Sequence, residues 1–284
     1  WGSMPFGSPS GADGLHLLAT DPELEFRGGS AALEAALEWL QPQAATDPWE
    51  RLLIGSLSYE LGAELDLFDG KGGKFKGVIE SVHADGSVTG KVTATLKADD
   101  SRAPVQLNLY LGLLKASHWD YALEKGTELG VSAFIPLLTP RTVVLLHEVE
   151  RTKAKAERWS RLIMAASKQC GRADLPPVRD AVQFRDAIRA HKDKGIVLVA
   201  WEGMKGSVAS QTLGPALRAA DAKRGKDPLE VSLFIGPEGG FSDEEIEMAE
   251  AEGAVVFGLG PRILRAETAA IAAAALVQYE LGGV

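Results

Sequence analysis

Two rhythms of hydrophobic and polar positions divide the chain. Glu64 to Phe68 (ELDLF), Lys74 to Val82 (KFKGVIESV) and Ser87 to Leu96 (SVTGKVTATL) alternate polar and apolar residues, the period of a half-buried strand. Asp69-Gly70 and Asp85-Gly86 lie between them as turn signals. The pattern predicts hairpins of a small antiparallel unit closing as a barrel. Ahead of it, Ala31 to Leu40 (AALEAALEWL) sets Leu33, Leu37 and Leu40 at helical spacing. Residues 1–30 are rich in Gly, Ser and Pro and are expected to be a poorly ordered start, with Trp1-Gly2-Ser3 before Met4 read as a cloning remnant.

The rhythm changes after Ala98 to Pro104 (ADDSRAP), a polar stretch closing in proline. The expected division is therefore 1–30, a β domain over 31–103 and a second domain over 104–284. Past the boundary, apolar runs alternate with helical segments. Strands are predicted at Gln106–Leu114, Val131–Leu138, Ile196–Ala200, Val231–Ile235 and Ala254–Phe257. Helices are predicted at Trp119–Leu129, capped by a Ser117/Asp120 box, at Thr152–Gln169, from Ser242/Glu245 to Glu252, and at Ala266–Leu281. This order implies a parallel sheet covered on both faces.

Composition narrows the function classes. The chain has 284 residues, 45% hydrophobic and 24% charged, enough for a sizeable core and about two domains at roughly 150 residues each. Lys+Arg 30 against Asp+Glu 39 give a net charge of −9, which argues against coating nucleic acid through bulk charge. A single cysteine, Cys170, excludes an internal disulfide and a multi-cysteine zinc site, and is read as a small buried hydrophobe. The five histidines are scattered, and no metal is expected. No apolar run is long enough for a membrane span and no signal peptide is visible, so a cytoplasmic protein with no membrane partner is expected.

Ligands of open parallel sheets sit at the carboxyl ends of strands, so the loops there carry the candidate chemistry. GxGxxG, GxxxxGK[ST] and GxSxG are absent. Three loops stand out: AWEGMKG from Ala200, GPEGG at Gly236–Gly240, and LGPRILRAET at Leu259–Thr268. Their backbone amides and carbonyls can read an adenine edge and ribose hydroxyls, and three such loops at neighbouring strand ends favour a ligand cleft over plain tight turns. Basic residues concentrate after Arg151. Arg151, Lys153, Lys155, Arg158, Arg161, Lys168 and Arg172 meet one acid, Glu157, with Arg151, Lys155, Arg158 and Arg172 near one stripe. That excess suits RNA backbone contact, joined by Arg141 and Lys125, against the plainer reading of a solvated face.

IGPEGGFSDEEI followed about twenty residues later by LGPRILRAETAA resembles the RsmE family, as do EKGTELGVSAFIPLLTPRT at Glu124–Thr142 and SKQCGR at Ser167–Arg172. The resemblance covers roughly 105–284. It implies a C-terminal SPOUT α/β domain with a deep trefoil knot, and an N-terminal PUA-like β-barrel domain that LDLFDGKGG at Leu65–Gly73 also matches. The start departs from the family, with Ser58 in place of the usual arginine and no histidine pair before it.

The implied activity is S-adenosyl-L-methionine-dependent methylation of N3 of a uridine in 16S rRNA or the small ribosomal subunit, by a homodimer. Another SPOUT RNA methyltransferase, acting on tRNA or a ribose 2′-hydroxyl, and an inactive RNA-binding assembly factor are the alternatives. The expected cofactor-binding residues are Ala200, Trp201, Glu202, Gly236, Glu238, Gly239, Gly240, Leu259, Gly260, Ile263, Leu264 and Thr268. Thr268 caps the last helix or touches the donor. Arg265 holds a phosphate or the developing uracil anion, and Glu267 receives a proton or orients Arg265. The plainer reading of Glu267 is a helix N-terminal carboxylate paired with Arg265.

Overall fold

The computed structural model describes residues 16–17, 25–29, 52–53, 62, 64–82, 87–96, 105–142, 152–191, 194–204 and 209–283. The helix expected at 31–40, the Asp85-Gly86 turn and Ser56–Tyr59 lie outside them. Contacts divide the chain into two compact units, Trp1–Asp100 with Ser167–Leu175, and Ser101–Ala166 with Pro176–Val284.

In the first unit, β1 (His16–Leu17) pairs with β3 (Leu52–Leu53). β2 (Glu25–Gly29), β4 (Glu64–Phe68), β5 (Lys74–Val82) and β6 (Ser87–Leu96) form an antiparallel sheet of order β2-β6-β5-β4. β4, β5 and β6 coincide with the predicted strands because alternation marks them residue by residue: Leu65 and Leu67 are buried while Glu64 and Asp66 are exposed. Asp69 closes the β4–β5 turn, its Oδ1 accepting from the amides of Lys71 (2.7 Å) and Gly73 (2.8 Å). β2 lies within the stretch expected to be poorly ordered. It is held there by main-chain pairing along β6, from Glu25 opposite Lys91 to Gly29 opposite Ser87. β1 runs beside β4 and β3 beside β2, so the short ribbon bridges the two edges of the sheet.

The second unit is a wholly parallel sheet of order β12-β10-β11-β7-β8-β9. Its strands are β7 (Val105–Gly112), β8 (Ala133–Leu138), β9 (Val182–Gln183), β10 (Ile196–Ala200), β11 (Leu229–Ile235) and β12 (Val255–Phe257). The helices are α1 (Ala116–Glu128), α2 (Thr152–Cys170), α3 (Phe184–His191), α4 (Ala209–Asp221), α5 (Asp243–Ala251) and α6 (Ala266–Glu280). Central strands β7 and β11 are buried on both faces, and Leu107 and Leu233 are 0% exposed; such a leucine contributes about 2 kcal/mol. The chain leaves β7 toward β8 and β9, then returns on the other side of β7 through β10 and β11. That reversal opens a crevice at the carboxyl ends of the strands.

The Ser242/Glu245 box caps α5: the Glu245 amide donates to Ser242 Oγ (3.2 Å) and the Ser242 amide to Glu245 Oε2 (2.9 Å). The Ser117/Asp120 box does not form. Lys115 is the N-cap of α1, with no side-chain cap bond, so Ser117 lies within the first turn, and the Asp120 carboxylate is taken by Arg158. Cys170 is exposed at the end of α2 rather than buried, its thiol 3.6 Å from the Ser167 carbonyl. The helices α3 and α4 are absent from the sequence-based prediction. The first is short, and the second carries Gly214 and Pro215 in its interior.

Candidate active site

The three glycine-bearing loops converge on one cavity of about 510 Å³. Ala200, Trp201 and Glu202 enter it from the end of β10, and the Trp201 amide donates to the Phe257 carbonyl at 3.0 Å. The Trp201 ring folds over Gly203, where a Cβ would stand 2.2 Å from it, and packs against the core. From β11 come Gly236, Glu238 and Gly240, with the Gly240 amide donating to the Pro237 carbonyl at 2.9 Å. Gly240 has φ +65°, which favours glycine, and a Cβ there would press on the Glu202 carboxylate, 2.2 Å from its Oε1. The base of this loop is fixed by Gly112 at the end of β7, whose Cβ would fall 2.2 Å from the Pro237 nitrogen.

After β12, Leu259, Gly260, Ile263, Leu264 and Arg265 complete the wall. Ile263 stands 78% exposed on the lip. Arg265, exposed and in extended backbone (φ −65°, ψ 153°), is the N-cap of α6. Two expected residues are not part of the lining. Gly239 backs onto Arg141, whose Nη1 donates to the carbonyls of Gly239 (3.3 Å) and Phe241 (3.1 Å). Thr268 is exposed inside the first turn of α6 and does not cap it, because the backbone already turns at Arg265.

Glu267 is 8% exposed, and its partner is not Arg265. Its Oε1 lies 2.8 Å from His118 Nδ1, at the start of α1. α1 and α6 pack side by side, with Ala266, Ala270, Ala273 and Ala274 buried on α6. His118, Lys115 and Arg262 all line the cavity and were missed in the sequence. The strand-end rule would have found the first two, which follow β7, but that turn (LLKAS) carries no glycine to draw attention.

Three of the cations read as an RNA face, Lys125, Arg158 and Arg172, are paired with nearby acids. Lys125 bonds Glu124 (2.8 Å) and Glu128 (2.9 Å), which hold its ammonium well above the usual lysine range. Arg158 pairs with Asp120, and Arg172 with Asp174 at 2.7 Å. Burial pushes the Lys168 ammonium down to about 8. Arg151 and the side chain of Lys155 lie outside the described residues. Among the described residues, no group of His, Cys, Asp and Glu is placed to hold a metal ion, and no helix is long and apolar enough to cross a membrane.

A parallel sheet with a glycine-lined cleft at its switch point is the setting in which an RNA methyltransferase domain model matches residues 101–278. That match defines the class of the chain. Ribosomal RNA small subunit methyltransferase E of Bacillus subtilis is 32% identical over 182 residues, covering 64% of this chain and 69% of that protein. The protein of the same name from Synechocystis is 31% identical over 221 residues, covering 78% and 67%. The chain belongs to the ribosomal RNA small subunit methyltransferase E family. Among solved structures, a methyltransferase from Legionella pneumophila with bound SAM is 27% identical, with TM-score 0.70 over 93% of this chain and 96% of that one. Ribosomal RNA small subunit methyltransferase E from Neisseria gonorrhoeae, also bound to S-adenosyl methionine, is 22% identical with TM-score 0.67 over 95% and 97%, a likeness of fold.

Proposed function

We propose that the protein is an S-adenosyl-L-methionine-dependent methyltransferase acting on N3 of a uridine in 16S rRNA, in the cytoplasm and as a homodimer. The observation that carries this reading is the convergence of the three strand-end loops on one cavity. The residues present fit the donor. The cavity of about 510 Å³ lies within the roughly 300–1,000 Å³ of small-molecule sites. Gly236, Leu259 and Gly260 bring backbone polar groups to its wall. Glu202 and Glu238 supply carboxylate acceptors for amine and ribose hydroxyls.

When bound, the donor supplies a methyl group already activated on a sulfonium, so the chain's own task is to hold and align. Arg265, exposed at the mouth, is placed to stabilise the negative charge that develops on the uracil ring. Glu267 acts from inside the wall, through His118. Arg151 and Lys155 serve the RNA backbone, while Lys125, Arg141, Arg158, Lys168 and Arg172 contribute less because each is paired, tethered or partly buried. Support for the homodimer is the apolar face of α1 and α6, where Tyr121 is 49%, Leu276 39% and Tyr279 75% exposed. The trefoil knot of the family belongs to this reading, at the C-terminal end of the second unit.

The test is mass spectrometry of nucleosides from 16S rRNA and from isolated small subunits after incubation with the donor. 3-Methyluridine is expected; methylation of another base or a ribose instead rejects the target. Calorimetry with S-adenosylhomocysteine separates the enzyme from an inactive assembly factor, which would bind none.

A further inference from the structure

The uridine N3 named above carries a proton, and a base within the cavity would speed its removal. Seven titratable side chains line the cavity: Lys115, His118, Glu202, Glu238, Arg262, Arg265 and Glu267. The lysine and the two arginines are donors only at neutral pH. Glu202 and Glu238 are exposed carboxylates, weak bases in water. Glu267 is sequestered, its side chain 10% exposed and its Oε1 2.8 Å from His118 Nδ1. A carboxylate at Nδ1 selects the tautomer in which Nδ1 carries the hydrogen and Nε2 keeps a lone pair. This contact is the imidazole's one polar partner among the described residues, and its side chain is 33% exposed toward the cavity it lines.

We infer that Nε2 of His118 accepts the N3 proton of the target uridine, with Glu267 as the positioning residue that holds the ring in its Nδ1–H form. This rests on the proposed function and assigns the one step that reading leaves open. In the step, the N3–H bond breaks and its proton moves to His118 Nε2. The electron pair left on N3 forms the new bond to the methyl carbon. The carbon–sulfur bond breaks toward sulfur, which leaves as a neutral thioether. The imidazolium is balanced by the Glu267 carboxylate and later releases its proton to solvent. Glu267, presented by α6 against α1, then offsets the charge that the imidazole gains.

The decisive variant is His118→Asn, whose side-chain amide can still donate to Glu267 but offers nothing where Nε2 stood. Unfolding temperature and calorimetric affinity for S-adenosylhomocysteine are expected to match the wild type. The rate of 3-methyluridine formation at pH 7 is expected to fall at least about a hundredfold, the range of a lost general base. The deficit should shrink in alkaline buffer, and also on RNA carrying 5-fluorouridine, whose N3 gives up its proton more readily. Independently of turnover, nitrogen NMR of the donor-free protein should show His118 protonated at Nδ1 and bare at Nε2, with Glu267→Leu, which offers no acceptor, losing that preference. An Asn variant as active as the wild type, a deficit unmoved by pH and by the fluorinated base, or a resting Nε2–H tautomer each overturns the inference alone. A wild-type protein that methylates RNA elsewhere than N3 overturns the proposed function, and this inference with it.

Discussion

In β4 of the antiparallel sheet, buried Leu65 and Leu67 alternate with exposed Glu64 and Asp66, whereas β11 of the parallel sheet is buried at every position except Glu230. The difference decides what each sheet can support. A strand with one wet face closes its hairpins through short turns such as Asp69–Gly73, and its side chains face core or solvent by turns. A strand dry on both faces has no surface of its own along its length. Its polar chemistry collects where it ends, and there Gly112, Gly236 and Gly240 crowd main chain against main chain. Rigidity and reactivity therefore lie within a few residues of each other in the second unit, while in the first the solvated surface runs along the strands themselves.

That contrast can be broken in several ways, beginning with the largest effect. Gly112→Val places carbon within 2.2 Å of the Pro237 backbone, which cannot rotate away. A loss of about 4 kcal/mol or more is expected, read by urea denaturation, and donor binding should disappear with it. Leu233→Ala, at a site 0% exposed, should cost about 4 kcal/mol, and Leu67→Ala, 2% exposed, about 3 kcal/mol. Hydrogen exchange should rise only in the sheet that carries the change; equal loosening of both sheets would show that the two units melt as one block.

Arg265→Ala touches the reactive end without the rigid one. Turnover should fall at least about tenfold, or about 1.4 kcal/mol of barrier, with stability and donor affinity unchanged. Collapse of donor affinity would reassign Arg265 to the donor. Ser242→Ala removes the α5 cap and should cost about 1 kcal/mol in thermal unfolding.

The smallest effect is at alkaline pH. Tyr110, stacked on Phe234 with ring centroids 4.3 Å apart and 2.9 Å from His191 Nε2, has its phenol pushed up to about 12 by burial. The folded protein keeps a proton that the unfolded chain releases near the ordinary value of 10.0, so stability falls as pH rises from 10 toward 12. Tyr110→Phe should flatten that part of the stability–pH curve, and an unchanged slope would show that Tyr110 does not contribute.

How far the sequence could be read follows the same division. β4, β5 and β6 are marked by alternation to the residue, because a side chain's face is fixed by its parity along a strand. The parallel strands are marked only as apolar runs, and their ends shift by one or two residues because continuous burial leaves no parity to count. The glycine loops are legible because close packing at a strand end restricts residue type. His118 is not, because its partner Glu267 is distant in sequence and the two meet only when α1 lies along α6. The charge balance of the stretch after Arg151 is only partly legible for a related reason. Counting acids on one helix finds Glu157 alone, while Asp120 on α1 supplies Arg158 with its counter-charge.

Gly112 has a consequence for inheritance. Every single-base change in a glycine codon that replaces the glycine with another amino acid installs a β-carbon, and the Pro237 main chain leaves no space for one. The codon is therefore a point at which no missense allele should survive selection for function. Because Gly112 holds the base of the GPEGG loop, a suppressor would have to arise in that loop, and Gly236 and Gly240 leave it little freedom to yield. Saturation mutagenesis with sequencing of survivors should show position 112 as a gap.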